Sequence, residues 1–139
     1  MAATDVTLSS TLKATTGFNR DEGMSGEAIT AGQVVYRDST ASYKFKKAIC
    51  TSLAAASAVG IALSTAAGAD QPIIIMKAGD ITNVSGLTQG EAYFVSDTTA
   101  GALMKYSDIG AGEYATYVGH APTTTTFKVA IVLATAAHS

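Results

Sequence analysis

From Gly26 onward the chain alternates short apolar and polar runs, separated by Gly, Ser, Thr and Asp. Alternation with a period of two is the mark of strands that bury one face. Residues 33–37 hold the Val34-Val35-Tyr36 strand, which the Asp38-Ser39-Thr40 turn ends. Tyr43-Lys44-Phe45-Lys46 alternates apolar with basic, so one face is buried and the other solvated. Ile73-Ile74-Ile75-Met76 is apolar on both faces and predicts a central strand, entered through Pro72, where a missing amide donor does least harm. Strands are also predicted at 91–95, 103–106 and 114–118. In the last strand Phe127, Val129, Ile131 and Leu133 share one face, and Thr126, Lys128, Ala130 and Val132 the other. Only the Ala-rich stretch 52–57 suggests a helical turn. The prediction is an all-β chain.

Residues before Gly26 sustain no period. Residues 7–16 are Ser/Thr-rich with isolated Leu8 and Leu12, and Asn19-Arg20-Asp21-Glu22-Gly23 is polar. Residues 1–25 therefore read as disordered, or as an extended arm that becomes ordered against something else.

The chain also repeats itself. Ile29-Thr30-Ala31-Gly32 recurs as Leu87-Thr88-Gln89-Gly90, an offset of 58. After a slip of one residue the offset is 59. Asp38, Lys46, Gly60 and Ala62 then fall on Asp97, Lys105, Gly119 and Ala121, and Ile73 and Ile74 on Val132 and Leu133. Two β-units follow, at about 26–80 and 84–135. Either alone would bury too little surface to be stable, so they are expected to share strands in a small barrel or sandwich. Gly32 and Gly90 lead equivalent turns. Asp38 and Asp97 head equivalent turns, where Asp bonds its own backbone two residues on. Gly60 and Gly119 interrupt strand alternation and mark a bulge or a close backbone approach.

Composition narrows the function. Of 139 residues only 14% are charged, against ~25% in ordinary soluble domains, and the net charge is −2. No phosphate-seeking field results, so no nucleic-acid partner is expected. One cysteine, Cys50, allows neither an internal disulfide nor an all-Cys zinc site. The longest run of small apolar residues, 53–63, is broken by Ser57 and Gly60 and is too short for a bilayer. With no basic and apolar leader at the N-terminus, synthesis and folding in the cytoplasm are expected.

The search for chemistry finds none. His120 matches Ile61 in the repeat, which suits a tolerant strand position, and His138 is penultimate. The carboxylates Asp21, Glu22 and Glu27 lack calcium-loop spacing. Gly110-Ala111-Gly112 is followed by Glu113 rather than Lys-Ser/Thr, and Ser85 lacks the Gly of a nucleophile elbow. Catalytic, cofactor and metal residues are expected to be absent. The basic run Lys44, Lys46 and Lys47 is a solvated strand face or a dock for an acidic protein surface. Outward strand positions must be mostly Ala, Thr, Ser and Gly, a surface suited to being covered by other subunits. The Thr123–Thr126 tract would then hydrogen-bond a neighbour.

The order Gly26-Glu27-Ala28-Ile29-Thr30-Ala31-Gly32-Gln33-Val34-Val35-Tyr36, Val59-Gly60-Ile61-Ala62 and Ile73-Ile74-Ile75-Met76-Lys77-Ala78-Gly79 resembles the capsid decoration (cement) proteins of tailed bacteriophages. Gly90-Glu91-Ala92-Tyr93-Phe94-Val95-Ser96-Asp97 with Val118-Gly119-His120-Ala121 looks like the same design, and the likeness covers roughly residues 26–135. The resemblance implies a β-barrel or β-tulip-like subunit, often a homotrimer, on the outside of the virion capsid. It implies an N-terminal arm laid over neighbouring major capsid proteins, with Leu8, Leu12, Phe18, Arg20, Lys44, Lys46 and Lys47 as contacts. Multivalent seating would then hold the capsid together. A tail or fibre module is the alternative. A carbohydrate-binding module is disfavoured by the absence of Trp and the dispersal of the Tyr residues.

Overall fold

A computed structural model describes residues 6–15 and 17–138. Strand accounts for 42% of the chain and helix for 8%, so the all-β prediction is correct. The strands are β1 (Lys13–Ala14), β2 (Asn19–Met24), β3 (Val34–Asp38), β4 (Lys44–Lys47), β5 (Gly60–Ala62), β6 (Pro72–Thr82), β7 (Ala92–Val95), β8 (Leu103–Lys105), β9 (Tyr117–Thr123) and β10 (Thr126–Val132). One helical turn, α1 (Leu53–Ala56), falls inside the Ala-rich stretch, and the Ser52 hydroxyl caps it by accepting from the Ala55 amide at 3.3 Å.

Eight strands form one antiparallel path, β4-β3-β5-β6-β10-β9-β7-β8, which curls into a half-barrel. The duplication shows in this order, because β4-β3-β5-β6 is matched by β8-β7-β9-β10. The register supports it as well. Val35 opposes Lys47 and Gly60, just as Tyr93 opposes Lys105 and Gly119. An offset of 58 therefore holds through β4 and β8, and 59 begins only at β5 and β9. The slip lies in the connector that holds α1, not before Asp38. Asp38 accordingly matches Ser96. The Asp38 carboxylate accepts from the Thr40 amide at 2.9 Å, and the Ser96 hydroxyl accepts from the Thr98 amide at 3.2 Å. Asp97 does not head the second turn; Ser96 does. The match of Ile73 and Ile74 with Val132 and Leu133 also fails. Ile61 pairs with Met76 while His120 pairs with Lys128, so Met76 matches Lys128. The long β5–β6 connector, replaced in the second unit by a tight β9–β10 turn, accounts for the difference.

β6 is the strand the two units share. Along one edge it carries β5 at Ile75 and Met76, then β10 from Ala78 to Ile81. Along the other it carries β2 and then β1. In the first unit β2 is the fifth strand beside β6. In the second unit the end of β6 is the fifth strand beside β10. The first unit therefore begins at β2, and residues 19–25 belong to it rather than to an arm.

Each unit has a core. Ser25 and Gly26 reach β4, with the Gly26 amide donating to the Phe45 carbonyl at 2.8 Å, and so close the first unit around Ile29, Val35, Phe45, Ala62, Ile73 and Ile75. Matching positions in the second unit, Leu87, Tyr93, Leu103, Ala121 and Phe127, lie in a larger core. That core also receives Val34, Ile61 and Met76 from the opposite face of β3, β5 and β6. These central strands are apolar on both faces for that reason.

Candidate functional site

The N-terminal segment does not project from the body. The Val6 amide donates to the Leu103 carbonyl at 2.8 Å, and the Leu103 amide donates back at 2.7 Å. Leu8 is only 2% exposed and belongs to the larger core, while Leu12 and Phe18 are half-buried against it. Burial removes Leu8 from the surface, so it packs in the core rather than standing on an exposed arm. Residues 1–5 of the expected arm lie outside the described residues.

Arg20 is exposed and paired with Glu22. Two of the three lysines of the basic run on β4 are ion-paired. Lys44 pairs with Asp70 and Lys46 lies 3.1 Å from Asp38, whereas Lys47 meets Glu27 through its backbone amide, which donates to that carboxylate at 2.8 Å and leaves the ammonium charge unmatched by this bond. Thr40 hydrogen bonds, together with Lys46, hold the Asp38 carboxyl below its usual range, and Asp38 in turn raises the Lys46 ammonium. Because Lys44 and Lys46 are matched within the fold, the run offers less field to an acidic partner than three free lysines would.

Arg37, which sequence reasoning passed over, seals the first unit. Its guanidinium lies 4.2 Å from the Phe45 ring centroid, and it donates to the Asp21 carboxylate at 2.8 Å and the Tyr43 carbonyl at 3.0 Å. This hydrogen bond is the main cause of the lowered Asp21 pKa.

The second unit presents a different outer face. Where the first unit buries Val34, Ile61 and Met76, the second turns outward Ala92, His120 and Lys128. Beside them runs an aromatic row. Phe94 stands 5.7 Å from both the Tyr106 and Tyr117 ring centroids, and Tyr106 stands 6.0 Å from the His138 ring. Tyr106 is 59% exposed, Val132 63% and Leu133 50%. On β10, exposure alternates as the sequence pattern predicts up to Ile131, but Leu133 lies past the strand end and faces solvent. A cleft of about 270 Å³ opens among Thr15, Thr82, Pro122, Thr126, Phe127 and the Asp80–Lys128 pair. Thr123 and Thr126 bond each other through their hydroxyls at 2.7 Å.

One acidic spot remains. Burial, and then the neighbouring Asp97 carboxyl, push the Glu113 carboxyl above its usual value, and the Gly110 amide donates to it at 2.6 Å. Among the described residues no three His, Cys, Asp or Glu side chains converge as metal ligands, and no helix is long and apolar enough to cross a membrane. No protein-family model, curated protein or solved structure matches this chain.

Proposed function

We propose that the chain is a structural subunit of a larger shell, a capsid decoration protein of a tailed phage that bridges neighbouring major capsid proteins, acting as a homotrimer. The observation that carries this reading is the outer sheet face of the second unit, where Ala92, Phe94, Ala130 and Val132 lie among His120, Tyr117, Thr126 and Lys128, of which Lys128 is the one carrying a fixed charge. A chain with so few charges gains solubility and stability when such a face is covered. With Leu8 in the core and Lys44 and Lys46 paired, this face is favoured over the arm and the basic run as the capsid-binding surface. The resemblance in residues 26–135 supplies the shell, and the poverty of catalytic groups in the sequence agrees with a structural role.

The test is to purify the phage that encodes the chain and quantify proteins in separated heads and tails. Abundance in heads close to that of the major capsid protein is expected. Recovery in tails alone would replace this reading with that of a tail or fibre module. Tyr106→Asp together with Val132→Asp is expected to abolish rebinding to stripped heads while the protein stays folded.

A further inference from the structure

We infer that the second unit is built to receive a donated strand residue, and that residues 6–14 are exchanged between two copies of this chain. In the first unit the strand after β2 closes its own seam, since Ser25 and Gly26 reach β4 at Phe45. The second unit keeps the same pair, Ser85-Gly86, after the end of β6, but its connector is shorter. Ile29 follows Gly26 by three residues, whereas Leu87 follows Gly86 directly. The shorter connector does not reach β8. Val6 takes the vacant place and pairs with Leu103, the match of Phe45. One Val6 methyl lies 3.9 Å from where a Cβ on Gly86 would stand.

The donor is not part of either repeat. It is held by the Val6 pair, by Leu8 as its one fully buried anchor, by the two-residue β1 on β6, and by the Asn83 side-chain amide donating to the Thr11 carbonyl at 2.9 Å. It joins the first unit through residues 15–18, where Gly17 has φ +83°. A donor filling the seam of its own chain and one filling that of a second copy make the same contacts. Local concentration therefore decides between them. This inference is independent of the capsid reading, because it concerns only copies of this chain.

Two full-length chains test it, one carrying Val6→Cys and the other Leu103→Cys, refolded together and oxidised. A disulfide-linked heterodimer that grows with protein concentration is expected. Its absence at every concentration, while the Val6→Cys/Leu103→Cys double variant closes within one chain, would overturn the proposal. If the substituted chains do not fold, deletion of two residues from 15–18 gives a second route, because the donor then falls short of its own seam. That variant is expected to sediment as an oligomer with residues 6–14 resistant to protease. A monomer with this segment cleaved would also overturn it.

Discussion

Gly60 and Gly119 hold the same place in the two units, and a side chain on either would collide with a carbonyl oxygen of the neighbouring strand, that of Met76 or that of Lys128. Those carbonyls are themselves at matching positions, so the close approach was duplicated with the unit. Gly60→Ala and Gly119→Ala are each expected to cost about 1–3 kcal/mol, as overpacking does. Gly90→Ala, with open space around its Cβ position, loses only what its positive φ of 82° demands. Urea unfolding of the three variants checks the ranking.

Leu8 anchors the N-terminal segment within the core. Leu8→Ala is expected to lower stability by about 2–5 kcal/mol, and exposed Thr7→Ala by almost nothing. Equal effects in thermal denaturation would refute the anchoring role.

The Glu113 carboxyl, raised above its ordinary 4.5 chiefly by burial, favours folding in its protonated form. That contribution is complete below 4.5 and is lost as pH rises through the folded-state value. Asp21 acts in the opposite sense. Its lowered pKa adds stability above 3.8, which is lost as pH falls through the folded-state value. Glu113→Gln is expected to remove the decline on the alkaline side and raise Tm at pH 7 relative to the parent. The measurement is Tm against pH, and a parallel profile for the variant would count against it.

Cys50 is fully buried, and burial pushes its thiol up to about 12, with the Glu113 and Asp97 carboxylates adding to the shift. The native protein is expected to resist a thiol reagent at pH 8, and to react at once in guanidinium chloride. Labelling without denaturant would show that this part of the core opens.

Much of the architecture was legible in the chain because alternation and burial coincide. Lys44-Phe45-Lys46 and 126–131 have the two-faced pattern that their strands display, and the paired glycines of the repeat mark a real contact. Tyr43, however, lies in the turn before β4, at φ 58° and 62% exposed, and does not share the buried face of Phe45. Three features were hidden, each for a physical reason. β2, with the sequence Asn-Arg-Asp-Glu-Gly-Met, has no apolar alternation because it is held by its backbone ladder on β6 and by Arg37. Lys77-Ala78-Gly79-Asp80 breaks the apolar run, yet it continues β6 because β2 holds one edge as far as Ala78 and β10 holds the other from Ala78 to Ile81. The aromatic row is assembled from Phe94, Tyr106, Tyr117 and His138, residues too far apart in the chain for any local pattern to unite them.

The strand that runs from Pro72 to Thr82 leaves the molecule no place to come apart in halves. Excising either repeat would strip the survivor of a ladder on which its own packing depends, so the pair melts in a single cooperative step. The slowest amide exchange belongs at Ile75, Met76, Ala78 and Ile81, where strands are hydrogen-bonded on both flanks.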